Sequence, residues 1–252
     1  MIDSTICNML RTYAEQYETK DFLIGDPSWF MHQFADLHNQ ETTAFVASVL
    51  SYGSRKQFLP KIQSLLDASG GDIYGWILSN RFTEIFHDGD TACFYRLYTK
   101  GQMAEFFRGY KLLLQQYGSI GDMLRKSDVS SGLSAVEHIC RWFAEHGSGG
   151  VVPKNAQSCC KRLCMFLRWM VRSGSPVDLG LWSDFIDRRT LIIPMDTHVL
   201  QEAMRLGLIH SRTASMCAAL QLTKTLADVF PDDPLAGDFA LFGYGVNSDK
   251  KN

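Results

Sequence analysis

Apolar residues recur at helical spacing along almost the whole chain, and the alternation that marks strands is nearly absent. That pattern restricts the fold to helices that each bury one face. The clearest case is a helix expected over 155–173. There Cys160, Leu163, Cys164, Leu167, Met170 and Val171 fall on one face, and Lys161, Met165, Arg168 and Arg172 on another. Ser173-Gly174-Ser175-Pro176 supplies its stop. Asp26-Pro27 reads as a cap and first helical residue, and Pro60 as a first-turn residue or a kink within SRKQFLPKIQSLLDA. Further helices are expected near 74–86, 90–99 and 102–117, and over LSAVEHICRWFAEH. Residues 188–193 read as an extended connector before Pro194. Asp196 then caps THVLQEAMRLGL, and ASMCAALQLTKTLADVF and LAGDFALFGYG close the series before a polar tail. The class is all-α, multi-helical.

With 252 residues the chain can bury a large core. Without an internal repeat or a low-complexity linker it reads as one unit, 1–252, of two integrated lobes, 41–150 and 1–40 plus 151–252. No apolar run reaches the roughly 18–20 residues that span a bilayer, and the N-terminus lacks a signal pattern, so a cytoplasmic location without a membrane partner is expected. Cysteines stand at 7, 93, 140, 159, 160, 164 and 217, an odd number that suits a reducing compartment. Cys160 and Cys164 could share a face as metal ligands, but no further spacing supports a metal site, and core packing explains them better.

The formal net charge of −2 argues against a nucleic-acid surface spread over the whole protein. Local segments differ. Gly147–Val177 carries Lys154, Lys161, Arg162, Arg168 and Arg172 without an acid, and Thr42–Leu66 carries Arg55, Lys56 and Lys61 without one. Chance clustering or an anionic partner would each explain this. Lys161 lies just inside one strong helix and Asp196 opens the next, 35 positions apart. A lysine amine and a carboxylate so placed are the minimal equipment for attack on a sugar carbon, the carboxylate supporting the positive charge that develops. The amine must be neutral to attack. Arg162, the helix N-terminus and the apolar face around Cys160 and Cys164 would each favour that form. A solvated or phosphate-holding lysine and a plain N-capping aspartate are the competing readings.

The turn, helix, connector and IPMDTHV segment resemble the helix-hairpin-helix DNA glycosylase/AP lyase superfamily. In that superfamily a hairpin grips a phosphate, a lysine opens the next helix and an aspartate sits in a V-D-T-H-like motif. The spacing of the pair is about twice that of endonuclease III-type members and closer to the archaeal 8-oxoguanine glycosylase branch. Most of the chain also resembles an uncharacterised bacterial family sharing DPSWFMHQF, AFVASVLSYGSRKQ, CKRLCMFLRWMVR, IIPMDTHV and DFALFG. One departure is plain: the hairpin reads VVPKNAQS, with Pro153 but no Gly-x-Gly after it.

The resemblance implies base excision of a damaged base, with an oxidised purine the expected class, and Schiff-base lyase activity. The partner would be double-stranded DNA with a damaged base or an abasic site, bound by a nucleoid-associated monomer without cofactor or metal. Lys161 and Asp196 would be catalytic. Lys154, Asn155, Gln157, Ser158 and Arg168 would hold DNA, as would Arg55, Lys56 and Gln57 of the YGSRKQ loop, Gln57 filling the gap left by a flipped base. Trp169, Phe239 and Phe242 would line a base pocket, although core packing also explains each. A non-catalytic nucleic-acid-binding module and a helical scaffold without nucleic-acid role remain the alternatives.

Overall fold

The computed structural model describes residues 2–249; the polar tail from Lys250 lies outside them. Its first helices are α1 (Ser4–Tyr17), α2 (Leu37–Leu50), α3 (Arg55–Ser69), α4 (Ile73–Leu78), α5 (Lys100–Tyr117) and α6 (Ile120–Lys126). Then come α7 (Gly132–His146), α8 (Lys161–Val171), α9 (Thr197–Arg205), α10 (Met216–Ala227) and α11 (Ala236–Asp249). Short 3-10 turns include Pro27–Gln33, capped by Asp26 as expected. The fold is all-α apart from one antiparallel pair among the described residues, β1 (Cys93–Tyr95) and β2 (Tyr98–Thr99).

Two compact units form. The first takes residues 2–24, 130–133 and 156–249; the second takes Gly25–Val129 and Ser134–Asn155. Residues 25–40, grouped above with the C-terminal part, fall in the second unit.

In the second unit α2 is buried nearly all round, from Asn39 to Leu50 except Gln40, because its sequence TTAFVASVL offers no polar face. Phe45 meets Tyr110 and Phe143 at ring separations of 5.0 and 5.4 Å, and Trp76, Phe82 and Phe86 gather around Phe107. Glu41 is the acid this helix buries. Its two carboxylate oxygens accept from the amides of Ile120 and Gly121 at 2.6 and 3.2 Å, so it caps α6 where the helix dipole favours a negative charge. Pro60 stands inside α3.

In the first unit α1 packs on α11, and close approach depends on glycine. A Cβ at Gly243 would enter the ring of Tyr17, whose hydroxyl accepts from Asn247 Nδ2 at 2.7 Å. The short 130–133 segment joins this unit through the Gly132 amide, which donates to Thr190 Oγ1 at 3.0 Å.

Three expectations are corrected. Residues 90–99 form the hairpin rather than a helix, since Phe94, Tyr95, Tyr98 and Thr99 suit a pleated, half-buried surface and Arg96 adopts a left-handed φ of 51° that no helix accommodates. The helix expected from 155 begins at Lys161, because Cys160 has a φ of 43° and stops the helix from extending upstream. Helices α1 and α6 add elements not expected from periodicity.

Candidate active site

Lys161 is the first residue of α8 and Asp196 the N-cap of α9, both in the first unit. Seven of the eleven residues of α8 are buried apolar side chains, so the helix is pinned along most of its surface. Lys161, Arg162 and Met165 are left partly exposed. The segment before Asp196, Leu191 to Met195, is buried throughout, and its Ile193 amide donates to Thr223 Oγ1 of α10 at 3.0 Å. This apolar connector fixes where the carboxylate emerges.

The two side chains meet. Lys161 Nζ donates to Asp196 Oδ2 at 2.6 Å, and the Val199 amide donates to Asp196 Oδ1 at 2.9 Å. One carboxylate thus caps a helix and holds an ammonium. Side-chain exposures of 38% and 35% leave both groups accessible from solvent. Burial alone would push the Asp196 carboxyl up, but the Lys161 charge and hydrogen bond, with the Val199 amide, hold it below the ordinary carboxylate range. His198, the second residue of α9, has Nδ1 4.0 Å from the buried Glu202 and packs against Gly245 of α11.

Behind the pair lies a buried ionic network that the sequence reading missed. Arg168 donates to Asp178 from Nε at 3.2 Å and to Asp238 from Nη1. Arg172 binds Asp178 at 2.5 Å, Asp233 at 2.8 Å and Glu18 at 2.9 Å. Burial pushes the carboxyls of Asp178 and Asp238 up against the pull of the arginines, and the charges of Lys161 and Asp196 also act on Asp238. The available signals were two aspartates within apolar runs, PVDLGLW and LAGDFALFG.

The expected contacts of Arg168, Trp169, Phe239 and Phe242 are corrected. Arg168 is 4% exposed and its guanidinium is spent on two aspartates and the face of Phe239, so it cannot reach DNA in this conformation. Trp169 and Phe239 are fully buried, which leaves no ring face for a base, and Phe242 packs edge-on against Tyr17 and Phe22. Lys154, Asn155, Gln157 and Ser158 are exposed, but they occupy turns ahead of α8, so their amides do not head a helix. Arg55, Lys56 and Gln57 are exposed at the start of α3 in the second unit, Arg55 bonded to Asp26 at 3.3 Å. Cys160 and Cys164 are buried, and burial drives the Cys164 thiol well up. A cleft of about 590 Å³ in the first unit is lined by Arg11, Glu18, Arg172 and Asp233 among others. Lys161 and Asp196 do not line it; Arg172, which follows the last residue of α8, does, whereas Lys161 is the first residue of that helix.

Among the described residues no helix is long and apolar enough to cross a membrane. No curated protein and no solved structure matches the chain. The profile described as "Protein of unknown function (DUF2400)" matches residues 26–247, and the chain belongs to that family.

Proposed function

We propose that this protein is a DNA glycosylase with Schiff-base lyase activity, and that its all-α fold is of the helix-hairpin-helix glycosylase kind. The observation that carries the reading is the contact of Lys161 Nζ with Asp196 Oδ2 at 2.6 Å, at the starts of two helices and open to solvent. Each helix fixes its side chain through buried packing, which is what a nucleophile and its partner need for alignment.

The chemistry follows from the groups. Asp196 stays an anion at neutral pH, so it offers fixed negative charge where an oxocarbenium-like sugar develops. The Lys161 ammonium must shed its proton to solvent, which reaches the side chain, before attack, so Asp196 remains ionised beside the developing charge. The amine then bonds to C1′ as the bond to the base breaks, and the departing base leaves with the electron pair. Ring opening gives a Schiff base, and β-elimination expels the phosphate 3′ to the lesion. An oxidised purine as the excised base rests on the resemblance described above.

The test is single-turnover nicking of duplexes holding an abasic site or 8-oxoguanine. Wild-type protein is expected to nick 3′ to the lesion. Lys161→Gln should lose about three orders of magnitude or more, as removal of a nucleophile does elsewhere. Nicking by Lys161→Gln at the wild-type rate would remove the proposal.

A further inference from the structure

The hairpin that replaced an expected helix carries an unusual apex. β1 and β2 pair Tyr95 with Tyr98, leaving Arg96 and Leu97 as a two-residue turn. Arg96 stands in the left-handed region at φ 51°, and Leu97 is 72% exposed, among the most exposed large apolar side chains of the chain.

The apex is fastened to the loop that joins α2 to α3. Tyr95 donates its hydroxyl hydrogen to the Tyr52 carbonyl, and the Arg96 guanidinium lies 5.0 Å from the centre of the Tyr52 ring. Gly53, at φ 89°, makes room: a Cβ there would strike that guanidinium. The ring of Tyr52 is itself part of the surface, 42% exposed. Arg55 and Lys56 open α3 directly after that loop, and Lys61 of the same helix lies over the hairpin's Phe94 at 5.1 Å. Neither Thr42–Leu66 nor residues 91–100 contains an acid, while together they hold Arg55, Lys56, Lys61, Arg96 and Lys100. The acid bound to this group is Asp26, buried and occupied in capping the Ser28 amide and in holding Arg55.

We propose that the Arg96–Leu97 turn and the Tyr52–Lys56 segment form one surface for duplex DNA, in which the cations hold phosphates and Leu97 enters between two bases. Cations on the same surface as an apolar wedge are what a protein needs to unstack a base step, since phosphate contacts supply affinity and the wedge repays unstacking. A single aliphatic residue matches one base step and is too little surface to anchor in a bilayer. This surface names where the proposed duplex partner is met, so it rests on the reading of DNA as substrate, but its readouts do not involve Lys161.

The experiment is fluorescence anisotropy of labelled intact and abasic-site duplexes at two salt concentrations, with 2-aminopurine beside the abasic site to report unstacking. Wild type, Arg96→Ala, Lys56→Gln and Leu97→Ala are compared, each also in a Lys161→Gln background, with far-UV circular dichroism confirming the fold. Arg96→Ala and Lys56→Gln should each weaken binding to both duplexes about tenfold, and Lys56→Gln should lower the salt slope by about one. Leu97→Ala should keep affinity for intact duplex within about twofold while losing the 2-aminopurine signal, which measures the wedge apart from the phosphate contacts. Those results in the Lys161→Gln background would establish the surface even if nicking were absent. Wild-type affinity and wild-type 2-aminopurine signal in all three variants would overturn it. So would binding to vesicles of phosphatidylserine and phosphatidylcholine that Leu97→Ala abolishes while duplex binding is unchanged.

Discussion

Asp196 shows how much one side chain can be asked to do. Its Oδ1 takes the Val199 amide and its Oδ2 takes Lys161, so capping and charge pairing are carried by different atoms. Substitution can separate them. Asp196→Asn keeps an N-cap acceptor but loses the charge paired with Lys161, so at neutral pH it should lose only the pairing contribution, while Asp196→Ala should also cost about 1 kcal/mol of helix capping; both should lose nicking. The pH dependence has a definite sign. The folded carboxyl lies below its ordinary value of 3.8, so its contribution is complete above that value and is lost as pH falls through the folded one. Urea melts from about pH 5 downward should therefore show a smaller loss of stability in Asp196→Asn than in wild type, and equal losses would contradict the pairing. Asp196 was legible in the sequence because it caps a helix, and Lys161 because a Gly/Pro-marked turn runs into the helical pattern just before it. Asp178 and Asp238 were not. An arginine face reads the same whether it meets solvent or buried carboxylates, so Arg168 and Arg172 looked like a basic surface when they are the centre of an ionic network.

Among the elements, periodicity located most helices and failed where local backbone conformation decides. Cys160 at φ 43° ends α8 at Lys161, which places the amine at the first helical residue instead of in a second turn. Nothing in the residue type announces a left-handed cysteine. The hairpin at 93–99 was hidden for a related reason: a short run of aromatics fits either period, and a left-handed Arg96 resolves it. Glycines in α11 matter in the opposite way, by what they leave out. Gly243→Ala would drive a methyl group into the Tyr17 ring, so the α1–α11 packing must open. The expected cost is about 1–3 kcal/mol, read as a lower midpoint in thermal denaturation, and an unchanged midpoint would mean the two helices do not pack as described.

For the whole molecule, all-α architecture followed from a chain with little strand alternation and many amphipathic runs, while the partition into units did not. The first unit gathers three separate stretches, and the return of residues 130–133 includes hydrogen bonds to residues 187 and 190 that no composition shift marks. Net charge was a poor guide as well. A value of −2 averages a buried acid-rich network and exposed basic loops, which face different surroundings. The central claim is that this all-α protein uses Lys161 as a nucleophile on DNA. Borohydride reduction tests it most directly. The protein is incubated with abasic-site and 8-oxoguanine duplexes, reduced, digested and analysed by mass spectrometry. The account predicts a covalent protein–DNA adduct on the peptide containing Lys161, absent in Lys161→Gln and retained in Lys154→Gln. No adduct on either duplex, or an adduct that persists in Lys161→Gln, would contradict it.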